Sequence, residues 1–237
     1  MSAIYLLTLR QLAGRWRILI LAVLAAMPVM ITVLMVSSSH APPMRGFEQA
    51  ILSVMLAGSI APLVVLAIAA PAFANEVEDR TIANLTLSPL PRWQIVLPKL
   101  LAVLSIAGPF IAASAFATGW AAFLGDWRAA IAITVSVLAG VVLYATAFTW
   151  LGLVTTQAIG VGLLYIVLWE GFFAGFVSGA RMLSIRYHSL ALMHGLDERR
   201  FAAAQHTDLE VATLVAVALV ALFFWLASRR LRQMDVP

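Results

Sequence analysis

Six long apolar runs separated by short polar stretches set the pattern of this chain: 18–36, 50–73, 100–124, 129–154, 158–177 and 209–227. A helix needs about 20 apolar residues to cross roughly 30 Å of hydrocarbon. The pattern therefore predicts an all-α integral membrane protein with six transmembrane helices. Pro28, Pro62 and Pro109 fall inside three of the runs, where the helix kinks and the freed carbonyls need partners on neighbouring helices or in water. Residues 1–17 place Ile4, Leu7 and Leu12 among polar positions, with Arg10, Arg15, Trp16 and Arg17 close by. Two readings fit: an elbow helix lying in the head-group layer, or the first turns of one long span. Residues 178–208 mix Met182, Leu183, Ile185, Tyr187, Leu190, Leu192 and Met193 with Arg181, Arg186, His188 and His194. The segment is too polar to span and too apolar for a plain loop, which predicts a short helical piece, re-entrant or lying on the outer surface, before the last span. No repeat or linker divides the chain, so residues 1–237 are expected to form a single transmembrane domain.

Composition narrows the function classes. The chain is 63% hydrophobic and only 11% charged, with a mean hydropathy of +0.99, far from the quarter or so of charged residues in soluble domains. Its net charge of +4 comes from one lysine and fourteen arginines set at segment ends, so a nucleic-acid partner is not expected. Cysteine is absent, which excludes disulfides and thiol chemistry. The first apolar run is long enough to span and is expected to stay in the mature protein. An even number of spans puts both termini on one side. Arg10, Arg15, Arg17, Arg80, Arg92, Lys99, Arg229, Arg230 and Arg232 share that side, against Arg45, Arg128, Arg181, Arg186, Arg199 and Arg200 on the other. Four of the latter lie in one long loop, so the positive-inside rule predicts cytoplasmic termini in a cell (inner) membrane.

The longest polar interruption, residues 75–99, falls on that cytoplasmic side. Glu76 and Arg80 stand at i and i+4 in the favoured acid-first order. Ser88-Pro89 ends this first helix, and two prolines in Ser-Pro-Leu-Pro-Arg force an extended corner. Pro91 then opens a second helix, and Pro98 bends it into the third span. The build is helix, rigid corner and surface-anchored helix.

These residues resemble a family. Glu76-Val77-Glu78, Thr81, the apolar Leu85 and Leu87, Ser88-Pro89, Arg92 and Lys99 look like the loop between the second and third spans in permeases of type 2 ATP-binding-cassette (ABC) exporters. There an E-x-E-x-G-T element is followed by a Leu-rich helix, S/T-P-x-x-R and a Gly-Lys pair. Arg80 and Pro98 depart from the pattern, each standing where glycine is frequent. The resemblance implies that Glu76, Glu78, Arg80, Thr81, Leu85, Ser88, Pro89, Arg92 and Lys99 form a coupling helix and corner that dock on a separate ABC ATPase. It further implies two permease copies, as homodimer or heterodimer, with two ATPase subunits, in the lipid bilayer. No GxxxxGK[ST] phosphate loop occurs in the chain, so no cofactor is expected on it; ATP and Mg belong to the partner ATPase. Energy then comes from that partner.

Other residues invite chemistry. Glu170 lies in the fifth run, where an ionisable group costs about 2.5–3.5 kcal/mol to insert and is a functional candidate by default. Two roles fit: meeting a cationic substrate group or gating the outer exit. The plainer alternative is a carboxylate hydrated at the outer interface or paired with Arg181. Tyr144 and Thr146, with Thr134, Ser136 and Thr149, supply scattered polar groups in the fourth run for a possible substrate path. Few fixed charges in the spans suit an amphipathic, lipid-like or drug-like substrate. His188, His194 and His206 lie near Asp197, Glu198 and Asp208, but their spacing matches no established zinc pattern, and no metal is expected. No histidine falls in a span to activate Ser59, so intramembrane serine chemistry is disfavoured. The alternative from another class is a six-span membrane enzyme or a non-transporting assembly factor.

Overall fold

The computed structural model describes residues 2–38, 44–78, 91–173, 184–198, 200–201 and 208–234. Among these residues the chain forms eight helices and no strand: α1 (Ser2–Leu12), α2 (Arg15–Ser37), α3 (Glu48–Glu78), α4 (Trp93–Ala122), α5 (Trp127–Val154), α6 (Ala158–Phe173), α7 (Ile185–Leu196) and α8 (Leu209–Gln233). The chain breaks at Ala13 and Gly14, so α1 is a separate helix rather than the start of α2. It packs along α4, where the Tyr5 hydroxyl donates to Ser105 Oγ at 3.0 Å.

Helices α2, α3, α4, α5 and α8 are each long and apolar enough to cross a membrane. The expected fifth span is shorter among the described residues: α6 has 16 residues, 158–173, below the roughly 20 a perpendicular crossing needs. Exposed apolar side chains such as Val23, Met30 and Leu34 on α2 and Leu214 and Val217 on α8 give those helices faces suited to lipid. Helices α3 and α5 supply the centre, with Leu56, Val64, Val65, Ile68, Val141 and Tyr144 buried.

Helix α3 changes its winding along its length. From Glu48 to Ile60 it is a wide π-helix, and Ser59 Oγ donates to the carbonyl of Val54, five residues back, at 2.9 Å. Regular α-winding resumes at Ala61, and Pro62 occupies its first turn, where a missing N–H is tolerated. Pro71 marks a second interruption, after Ala70.

The two ends of the bundle are distinguishable. At one end Ile4, Phe73, Ile95, Val96, Leu153, Ala227, Leu231 and Met234 form one cluster. This cluster gathers the N-terminal helix, the end of α3, the start of α4, and the ends of α5 and α8, so both termini share one end. At the opposite end Phe123 packs edge-on against Phe47 and Phe201, with ring centroids 6.4 and 5.6 Å away.

Between these ends α7 runs from mid-depth to the opposite end of the bundle. Its last turn lies at the opposite end, where Gly195 packs against Leu209 at the start of α8. Ser189 meets Gly140, halfway along α5, so closely that a Cβ on that glycine would lie 2.3 Å from Ser189 Oγ. Ile185, one turn further, shares a cavity wall with Phe148 and Leu151 of α5. Of the segment expected to be re-entrant or superficial, the described helix α7 therefore packs inside the bundle, with its first turn at mid-depth.

Candidate functional site

At the terminal end the polar roots of the 75–99 stretch are tied together. Ala72 and Glu76 stand one helical turn apart on the last part of α3 and so face the same way. Lys99, in the second turn of α4, reaches both: its Nζ pairs with Glu76 Oε1 and donates to the Ala72 carbonyl at 2.6 Å. The ammonium also lies over the Phe73 ring, 4.2 Å from its centroid. Lys99 is 1% exposed, and an ammonium tolerates such burial only with charge and hydrogen-bond partners of this kind. The effect is a pin between the end of α3 and the start of α4.

Glu170 forms a second pin, at mid-depth. It lies twelve residues beyond Ala158 on α6, and Tyr144 lies ten residues before Val154 on α5. At about 1.5 Å per residue both are roughly 15–18 Å from the terminal end. Glu170 is 0% exposed. Its Oε1 accepts from the Tyr165 hydroxyl at 3.0 Å and from the Ile185 backbone N–H at 2.9 Å, and its Oε2 accepts from Ser184 Oγ at 2.5 Å. Ser184 is the N-cap of α7 and itself accepts from the Tyr187 N–H at 3.2 Å. The carboxylate thus caps the first turn of α7, where unpaired N–H groups and the helix dipole favour an anion. The hydrated-interface reading does not hold, because the carboxylate is fully buried and bonded to Tyr165, Ser184 and Ile185; Arg181, the other expected partner, lies outside the described residues. Tyr144 is buried within electrostatic reach of Glu170 and stacks on Phe148 at 5.7 Å. The Thr146 hydroxyl donates back into its own helix, to Leu143 O at 2.9 Å and Val142 O at 3.1 Å.

Below this pin, towards the terminal end, a cavity of about 400 Å³ opens between α5, α6, α7 and α8. Phe148, Trp150, Tyr165, Trp169, Leu219 and Phe223 dominate its wall, and among the described residues no charged side chain lines it.

A family model described as ABC-2 family transporter protein matches residues 9–185. The chain belongs to the ABC-2 transporter family. This identifies it as a multi-pass membrane component with a permease role in an ABC transporter. A search of curated proteins found no match. In this ABC-2 permease the matched stretch takes in both pins and ends at Ile185, the residue whose N–H meets Glu170.

Of the residues assigned to the coupling loop, the ABC-2 permease brings Glu76 and Lys99 together. Glu78 is exposed one half-turn away, and Arg92 N-caps α4, its carbonyl accepting from Ile95 and Val96 N–H. Arg80, Thr81, Leu85, Ser88 and Pro89 lie outside the described residues. Tyr144 and Glu170 come together, whereas Thr146 turns to its own backbone. Sequence reasoning missed Ala72, Phe73, Tyr165 and Ser184. Ser184 alone carried a local signal, a serine immediately before a helical run, which is an N-cap pattern.

The opposite end holds the charged residues expected there. Asp126 N-caps α5 by accepting from the Arg128 N–H at 2.9 Å and pairs with Arg200, which also reaches Asp197 at 3.4 Å. The Arg128 N–H holds the Asp126 carboxyl below its usual range, and the Arg200 guanidinium adds to this. His194 Nδ1 donates to the Phe201 carbonyl at 2.8 Å, and His188 packs edge-on to Tyr187. His206 lies outside the described residues.

Proposed function

We propose that this chain is the permease half of an ABC exporter that moves an amphipathic, lipid-like or drug-like substrate out of the cytoplasm or inner leaflet. A separate ATPase subunit, which carries ATP and Mg, supplies the energy. Two permease copies and two ATPase subunits make the working assembly, most simply with a homodimeric permease, and the terminal end faces the cytoplasm of a cell inner membrane. The observation that carries this reading is the buried Lys99 pin. Residues 79–90 connect α3 to α4, and a push on that connection has no slack to take up when its roots are locked through Glu76, Ala72 and Phe73. Movement of an ATPase docked there passes directly into the second and third spans. Exposed Glu78 is suited to meet the ATPase, while buried Lys99 acts as a positioning residue rather than a contact. On the same reading Glu170 holds α7 in place as part of the outer gate.

Reconstituted permease and ATPase test the assignment. Lys99→Met and Glu76→Gln are expected to abolish most transport of a fluorescent lipid while the ATPase subunit stays bound and continues to hydrolyse ATP. Transport at the wild-type rate in both variants would remove the pin from the coupling path.

A further inference from the structure

We infer that the cavity between α5, α6, α7 and α8 is a binding site for one hydrocarbon chain of a lipid from the leaflet at the terminal end. The inference needs only the membrane placement of the chain and stands apart from the exporter reading. Three observations carry it. The first is depth. Val161 lies three residues beyond Ala158, and Trp169 eleven; Phe148 lies six residues before Val154. At about 1.5 Å per residue the walls run from roughly 5 to 16 Å above the terminal end, which is the depth that one leaflet's chains occupy in a hydrocarbon core of about 30 Å.

The second observation is chemistry. The wall is built from Ala147, Phe148, Leu151, Val161, Leu219 and Phe223, with Trp150, Tyr165 and Trp169 adding large ring faces. The Tyr165 hydroxyl is committed to Glu170. None of the described lining residues carries a charge to hold a head group, so what fits this wall is an apolar tail whose head group stays at the interface. A volume of about 400 Å³ falls within the range of small-molecule sites.

The third observation is the boundary. Trp150 and Phe223 pair at 5.6 Å on the side nearer the terminal end, and Val161, in the wall, is 43% exposed, so the cavity has a side open to the surrounding lipid. At the far side Tyr165 and Ile185 are at once wall residues and two of the three groups holding the Glu170 carboxylate. A chain seated here touches the pin that sets the depth of α7. Occupancy therefore bears on α7 and not only on lipid packing.

Photolabelling of the purified full chain in phosphatidylethanolamine–phosphatidylglycerol vesicles tests this. The probe is a phosphatidylcholine with a diazirine halfway along one acyl chain. Labelling of peptides that carry Phe148, Leu151, Tyr165 and Leu219 is expected to saturate with probe and to exceed, several-fold, that of the lipid-exposed α2 face around Val23 and Met30. Ala147→Trp, which fills the cavity, and Val161→Trp, at its side, are each expected to reduce wall labelling to the α2 level while α2 labelling stays unchanged. Wall labelling no higher than on α2, or unaltered in both variants, would overturn the proposal. Because no ATPase is present, that outcome leaves the exporter reading untouched, and a failure of ATPase association leaves the lipid site untouched.

Discussion

Lys99 and Glu76 differ in how far each depends on the other. Lys99 has almost no access to water, whereas the Glu76 side chain keeps 16% of its surface exposed. Glu76→Gln strands a buried ammonium and is expected to destabilise the chain by about 3 kcal/mol. Lys99→Met leaves a carboxylate that can turn to water and is expected to cost less; the double variant should recover part of the Glu76→Gln loss. Thermal denaturation of the three proteins in detergent checks the order. Glu170 behaves similarly at mid-depth. Glu170→Ala leaves Ser184 Oγ and the Ile185 N–H buried without their acceptor, an expected loss of about 3 kcal/mol, while Glu170→Gln retains an oxygen for Ile185 and Tyr165 and should cost about 1 kcal/mol. Equal losses from the two substitutions would contradict the capping geometry. Residues such as these were half legible in the sequence. Glu170 announced itself as an ionisable group in an apolar run, and Glu76 and Lys99 as charges in the polar stretch between two such runs. Their partners did not, because Ser184 is fourteen residues from Glu170 and Ala72 is 27 from Lys99, and only the packing of separate helices brings them together.

The helices themselves were more legible than their depths. Hydrophobic run length located α2, α3, α4, α5 and α8, because crossing hydrocarbon imposes that length directly. It did not give the depth of the fifth run, whose helix is described from Ala158 to Phe173, with residues 174–177 outside the described residues. Nor did it reveal how far α7 descends; that depends on small residues on α5. Gly140 and Gly152 both allow close approach, but to different kinds of neighbour. A Cβ at Gly140 meets the rotatable Ser189 hydroxyl, whereas one at Gly152 meets the backbone carbonyl of Ala70 at 2.5 Å. Gly152→Ala is therefore expected to destabilise by about 1–3 kcal/mol through forced backbone movement. Gly140→Ala should cost less, and a melting series on the two variants decides. If Gly140→Ala proved the more damaging, the Ser189 side chain would be less free to turn than the geometry implies.

For the whole molecule, the two pins lie at different depths of the bundle. The Lys99 pin ties the end of α3 to the start of α4, and the Glu170 pin holds the first turn of α7 halfway down the bundle. The shared end of both termini places the first pin beside the N-terminal helix and the tail of α8, the end that the arginine distribution assigns to the cytoplasm. The account's central claim is that a separate ATPase drives this permease by engaging that end. Co-purification of tagged permease from its native membranes, with nucleotide-binding activity as the readout, tests it most directly. A nucleotide-binding subunit is expected to accompany the wild-type chain and to be lost, by at least several-fold, when Glu78→Arg reverses the exposed charge. A wild-type chain that brings down no such subunit, or a subunit whose recovery is unchanged by reversing both Glu76 and Glu78, would contradict it.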